Sequence, residues 1–128
     1  MYGGKLTATS NSSHGINFQN TIDVYGGEVV ATSNATSVSL PCYGIRSGGF
    51  LDSQILTVYD GKVTATGNGV TMSSTYGSGI GCYVMSGTSG IKFYFSADGT
   101  TWGDGTGYAS ATQVGTDDAT KKRYVKAE

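Results

Sequence analysis

A ten-residue phrase occurs three times in this chain, and its recurrence restricts the fold more than any other feature. Tyr25-Gly26-Gly27-Glu28-Val29-Val30-Ala31-Thr32-Ser33-Asn34 is echoed upstream by Tyr2-Gly3-Gly4-Lys5-Leu6-Thr7-Ala8-Thr9-Ser10-Asn11. It is echoed downstream by Tyr59-Asp60-Gly61-Lys62-Val63-Thr64-Ala65-Thr66-Gly67-Asn68. A Gly-Ile pair follows each copy, at Gly15-Ile16, Gly44-Ile45 and Gly79-Ile80. Self-similarity of this kind marks a repeat architecture, in which one unit buries its apolar face only by stacking on the next. Aligned on tyrosine, the units start near Tyr2, Tyr25, Tyr59 and Tyr94, in steps of 23, 34 and 35 residues. The residues before each later tyrosine recur too, as Ile22-Asp23-Val24, Leu56-Thr57-Val58 and Ile91-Lys92-Phe93.

Each unit therefore reads as a strand ending at Tyr, a Gly turn, a second strand, an Asn turn, and a third strand opening at Gly-Ile. Three short strands per unit make one coil of a solenoid. The chain is predicted to be all-β: a short right-handed parallel β-helix of about three to four coils over residues 1–94, with a C-terminal β-hairpin cap over 95–128. Alternation within strands gives the inward columns. These are Ile22/Leu56/Ile91, Val24/Val58/Phe93, Leu6/Val29/Val63, Ala8/Ala31/Ala65 and Ile16/Ile45/Ile80. Thr7/Val30/Thr64 and Thr9/Thr32/Thr66 face outward, beside a Lys5/Glu28/Lys62 column whose signs alternate. Asn11/Asn34/Asn68 is expected to form an amide ladder. Gly4/Gly27/Gly61 is expected to meet positive φ or a crowded turn. In the cap, Phe93 to Trp102 reads as strand, Asp98-Gly99 turn and strand, and Tyr124-Val125-Lys126 as a final strand.

Composition fits this picture and removes several function classes. The chain has 128 residues, 21 of them Gly and 9 Tyr, a net charge of −1 and only 13% charged residues. Low charge argues against disorder, and no basic stripe offers a grip on nucleic acid. No apolar run reaches the roughly 18–20 residues of a membrane span, so no membrane insertion is expected. The first copy lacks the strand that precedes the others, so the chain reads as part of a longer protein whose open first coil favours end-to-end self-association. Cys42 and Cys82 allow one disulfide without requiring it, and no Cys/His spacing suits a metal. No metal and no cofactor are expected.

Little in the chain suggests catalysis. His14, the single histidine, is expected in a solvent-exposed loop, with no nucleophile directed at it. Asp23, Asp60 and Asp98 fall at turns, where Asp is common. The extra length of the later units is more informative. Nine residues separate Asn34 from Gly44 and ten separate Asn68 from Gly79, against three between Asn11 and Gly15. Insertions of this kind collect on one face of a solenoid, often the binding face. Tyr43, Tyr76 and Tyr83 lie in or beside them, and exposed rings can stack on sugars. Arg46 and Asp52 could orient a sugar's hydroxyls. These five residues form the candidate ligand site.

The phrases Val58 to Asn68 and Ser78-Gly79-Ile80-Gly81 resemble repeats of secreted, surface-exposed right-handed β-helix proteins of anaerobic bacteria, gut bacteria included. The resemblance covers residues 1–94. Ser96 to Trp102 resembles a hairpin of many bacterial extracellular β modules. The resemblance implies an extracellular location at the bacterial cell surface and a carbohydrate-binding or adhesin-like role without catalysis, with a glycan or a host or cell-surface ligand as partner. A purely structural stalk segment of a large adhesin is the alternative. A β-helix polysaccharide lyase or hydrolase comes third, since neither a calcium-ligand set nor a clustered pair of carboxylates is matched.

Overall fold

A computed structural model describes residues 1–36, 40–48, 55–72, 75–81, 84–88, 90–107, 112–113 and 122–128, with backbone only at 71–72, 75–76, 84–85 and 112–113. The described residues form an all-β structure without helix. Three sheets take their parallel strands from successive passes of the chain. The first holds β1 (Lys5–Ser10), β4 (Glu28–Ser33) and β7 (Lys62–Thr66). The second holds β2 (Ile16–Phe18), β5 (Ile45–Ser47) and β10 (Ile80–Gly81); the third holds β3 (Thr21–Val24), β6 (Ile55–Val58) and β11 (Val84–Gly87). The chain visits first, second and third sheet in turn, then returns to the first. Register follows the repeat residue by residue, pairing Leu6 with Val29 and Val29 with Val63, and Ile16 with Ile45 and Ile45 with Ile80.

Like stacks on like inside. Val24, Val29, Ala31, Ile45, Leu56, Val58, Val63 and Ala65 are all buried in one core, each of the larger ones adding roughly 1.5–3 kcal/mol over an exposed position. Gly44 shows why Gly opens each second-sheet strand. A Cβ there would lie 2.7 Å from both Gly79 O and Thr66 N and 2.8 Å from Ala31 O, because the strand crosses directly over first-sheet backbone. Gly61 answers a different demand: its φ is +88° and a Cβ would sit 2.5 Å from Gly27 O of the preceding coil.

The C-terminal part departs from expectation in two ways. Ile91-Lys92-Phe93 does not continue the third sheet. Val84–Gly87 does, with Met85 opposite Leu56 and Gly87 opposite Val58. Gly87 leaves the Val24/Val58 column short of a side chain, and the returning chain fills the gap: a Cβ on Gly87 would meet Ile91 Cγ2 at 3.0 Å and Phe93 Cε2 at 3.3 Å. Ile91 and Phe93 are thus core residues outside the column assigned to them, and Tyr94 starts no further coil. Nor is the cap a hairpin of consecutive strands. Between β7 and β12 (Phe93–Ser96) lies β14 (Tyr124–Ala127), antiparallel to both. Val125 and Ala127 are fully buried, whereas residues 100–107 lack apolar alternation and form no strand beside β12, touching it through a Phe93–Thr106 bridge, a Gly103 N to Phe95 O bond and a Ser96 hydroxyl bond to Thr101 O. The turn survives: Asp98 Oδ1 accepts from Thr100 N and Thr101 N at 2.8 and 2.7 Å. Also antiparallel is β13 (Thr112–Gln113), on β11.

The opposite end is open. Its edge strand β1 leaves Leu6 46% exposed, while Val29 and Val63 below it are buried. A cavity of about 300 Å³ opens there into the core, lined among others by Leu6, Ile16, Ile22, Val29 and Leu56. Met1 reaches over it in the position Val24 holds one coil later, since Tyr25 N donates to Met1 O as Tyr59 N donates to Val24 O, both at 2.7 Å.

Candidate functional site

The two insertions meet. Asn68 Nδ2 donates to Leu40 O at 2.9 Å, and Asn68 Oδ1 accepts from Cys42 N at 3.0 Å and Val70 N at 3.1 Å. The Asn column was expected to pair amide with amide, but Asn68 spends its amide on the backbone of the insertion beside it. From this brace the third-unit insertion rises as a hairpin, β8 (Thr71–Met72) against β9 (Thr75–Tyr76), closed at its base by Gly69 N to Gly77 O and Gly77 N to Val70 O. Leu40, 51% exposed, stands beside it.

Of the five candidate residues, the structure brings Tyr43 and Arg46 to one edge of this patch and puts Tyr76 in the hairpin strand β9. Tyr83 and Asp52 lie outside the described residues, as does the Tyr76 side chain. Tyr43 is a correction. It is only 7% exposed, and its ring occupies the space a Cβ on Gly81 would need. A ring packed so tightly offers no face to a sugar. Gly81, paired with Arg46 across the second sheet, is the reason: it leaves a slot that the bulkiest nearby side chain fills. Arg46 remains half-exposed on the outer surface, with Nη1 3.4 Å from Gly48 O.

His14 is likewise not the exposed loop residue expected. It is half-buried, and Tyr43 N donates to its Nδ1 at 3.0 Å. That bond needs an unprotonated Nδ1 and so a neutral ring carrying its proton on Nε2. Burial, then the Arg46 charge, hold its pKa below 6.5. The imidazole ties the first repeat unit to the second. Cys42 is a free, buried thiol whose pKa burial raises, so it stays protonated at neutral pH.

Aromatic surface does exist elsewhere. Tyr2, Tyr25 and Tyr59 stack face to face along the coils, with centroids 4.8 and 4.5 Å apart and planes within 8°. The facing surfaces are consumed by one another, which leaves the outer face of Tyr2, itself 84% exposed, at the open end of the stack. Near the cap, Lys126 Nζ lies 4.7 Å from the Trp102 ring centroid and 5.2 Å from that of Tyr94. Trp102, where the expected hairpin ends, lies beside the outward Lys126 on the outer surface of the first sheet. Among the described residues no three His, Cys, Asp or Glu side chains are grouped to hold a metal ion, and no helix is long and apolar enough to cross a membrane. The chain matches no family model, no curated protein and no solved structure.

Proposed function

We propose that this chain is a short right-handed parallel β-helix that serves as a non-catalytic binding and adhesion module of an extracellular bacterial surface protein, with a glycan as the ligand class. The cyclic order of the three parallel sheets supports the β-helix. The binding reading is carried by one observation: insertions on consecutive coils are braced side by side through Asn68. The repeated tyrosines, turn glycines and inward alkyl residues serve stacking: ring on ring, glycine under backbone and alkyl in the core. The patch is where the repeat spends residues that stacking does not need, and insertions on a solenoid face are where its ligands bind. Its test residues are Arg46 and Tyr76, followed by Tyr83 and Asp52; Tyr43 is packed inward against Gly81 and is not among them.

A glycan array probed with the chain and with an Arg46→Ala/Tyr76→Ala variant tests this. Binding that is lost in the variant, with an unchanged melting curve, is the expected outcome. Binding retained by the variant moves the site away from the patch and overturns the assignment. The second reading, a structural stalk segment, draws on the open first coil, a surface that another coil would complete. Failure of both proteins to bind any glycan leaves that reading ahead.

A further inference from the structure

The open end of the first sheet offers an interface to a second copy. Gly4 O and Ser10 O accept from Glu28 N and Asn34 N, so in this parallel ladder alternate residues of β1 bond to β4, while the N–H and C=O groups of Lys5, Thr7 and Thr9 point along the free edge. That edge is six residues long and contains no proline or bulge, and unpaired edges of this kind recruit another strand. Beneath it lies the apolar cavity ringed by Leu6, Ile16 and Ile22. Met1 caps the third-sheet corner of that cavity, its amine donating to Asp23 O and its carbonyl accepting from Tyr25 N; the edge and the rest of the cavity repeat the contact by which each later coil is held.

We propose that two copies associate through these ends, face to face, as a two-fold symmetric dimer in which β1 pairs antiparallel with β1. The far end of the sheet disfavours a head-to-tail alternative, because the edge of β12 is already engaged there: Phe93 and Thr106 exchange backbone bonds and Phe95 O accepts from Gly103 N. The inward faces fix the register. Centring the pair on Thr7 places Leu6 of one copy opposite Ala8 of the other, over the joined cavities. Thr7 then faces Thr7 and Lys5 faces Thr9, each pair exchanging both backbone bonds. The same two-fold sets β2 over β3, so Ile16 and Ile22 of opposite copies approach. Charge permits this seam: Lys5 is drawn toward Glu28 of its own chain at 3.0 Å and meets a threonine across the join. A dimer would also present two insertion patches on one particle, which raises avidity for a repeating ligand. The inference rests on the binding-module reading, because in a stalk another coil would cover this end.

Sedimentation velocity of the 128-residue chain over about 10 μM to 1 mM, the range of weak interfaces, provides the test. The expected result is a shift from monomer toward dimer as concentration rises. Thr7→Glu, which sets two carboxylates directly opposite, should weaken dimerisation at least tenfold. Thr9→Glu, which sets a carboxylate opposite Lys5 of the other copy, should preserve or strengthen it. Both positions are exposed in the monomer, and matching melting curves separate a failed seam from a failed fold. A chain that stays monomeric throughout, or variants that weaken association equally, overturns the proposal. Failure of the glycan array with intact dimerisation would reject the ligand and keep the seam.

Discussion

Alanine at Gly4 and at Gly61 separates the cost of backbone strain from the cost of crowding a neighbouring coil. The two glycines occupy the same turn of the repeat and nearly the same conformation, with φ of +78° and +88°. Any L side chain there carries left-handed strain of roughly 1–2 kcal/mol. Only their surroundings differ. A Cβ on Gly4 meets nothing within 4 Å, whereas one on Gly61 lies 2.5 Å from Gly27 O and 2.9 Å from Gly26 C and Gly27 N. Those contacts are with backbone held in the ladder, so relief requires coils to separate, which adds about 1–3 kcal/mol. Gly4→Ala should therefore cost about 1–2 kcal/mol and Gly61→Ala about 2–5 kcal/mol. With a urea m-value near 2 kcal/mol/M for a chain of this size, the midpoints of the two variants should differ by about 0.5–1.5 M. Urea titrations on dilute protein measure this. Equal shifts would show that the turn carries only conformational strain and that the coils are not packed through it.

Leu56 is fully buried at the centre of the third sheet, so Leu56→Ala should lower unfolding free energy by about 2–5 kcal/mol in the same titration. His14 is neutral in the fold with its pKa held below 6.5, so the unfolded chain takes up the proton first as pH falls. Stability should decline as pH drops below 6.5 toward the folded value, and His14→Gln should flatten that limb of a melting-temperature profile. At the cap turn, backbone N–H groups of Thr101 and Thr100 and the Ser96 hydroxyl hold the Asp98 carboxyl well below the usual carboxylate range. Its contribution is present above pH 3.8 and lost as pH falls through the folded value. Asp98→Asn should lower the melting temperature at neutral pH, by a margin that shrinks in acid.

Much of the fold was legible in the sequence because successive strands of one parallel sheet write the same residue at the same place. Leu6/Val29/Val63 and Ala8/Ala31/Ala65 fall into register as the repeat dictates, and Lys5 pairs with Glu28 as the sign alternation implies. Legibility failed where a residue contributes by being small. Gly87 hides a third-sheet strand behind a sequence unlike Leu56-Thr57-Val58, and Ile91 and Phe93 imitate that strand because they fill its gap. Gly81 misled in the same way: it opens the slot that draws Tyr43 out of solvent. Asn68 kept its place in the column but not its partner, since its amide bonds backbone groups of the neighbouring insertion instead. The braced insertions were legible as excess length, while their hairpin geometry was not.

The fold depends on successive passes of the chain lying parallel in one sheet. Proton–proton contacts in an isotope-labelled sample test that directly. The account predicts amide-to-α contacts along β1, β4 and β7, linking Ala8 to Ala31 and Ala31 to Ala65 in register. It predicts the close α-to-α contacts of antiparallel pairing where β14 meets β7, as at Thr66 and Tyr124. Strong α-to-α contacts between β1 and β4, or between β4 and β7, would mean an antiparallel meander and would contradict the account.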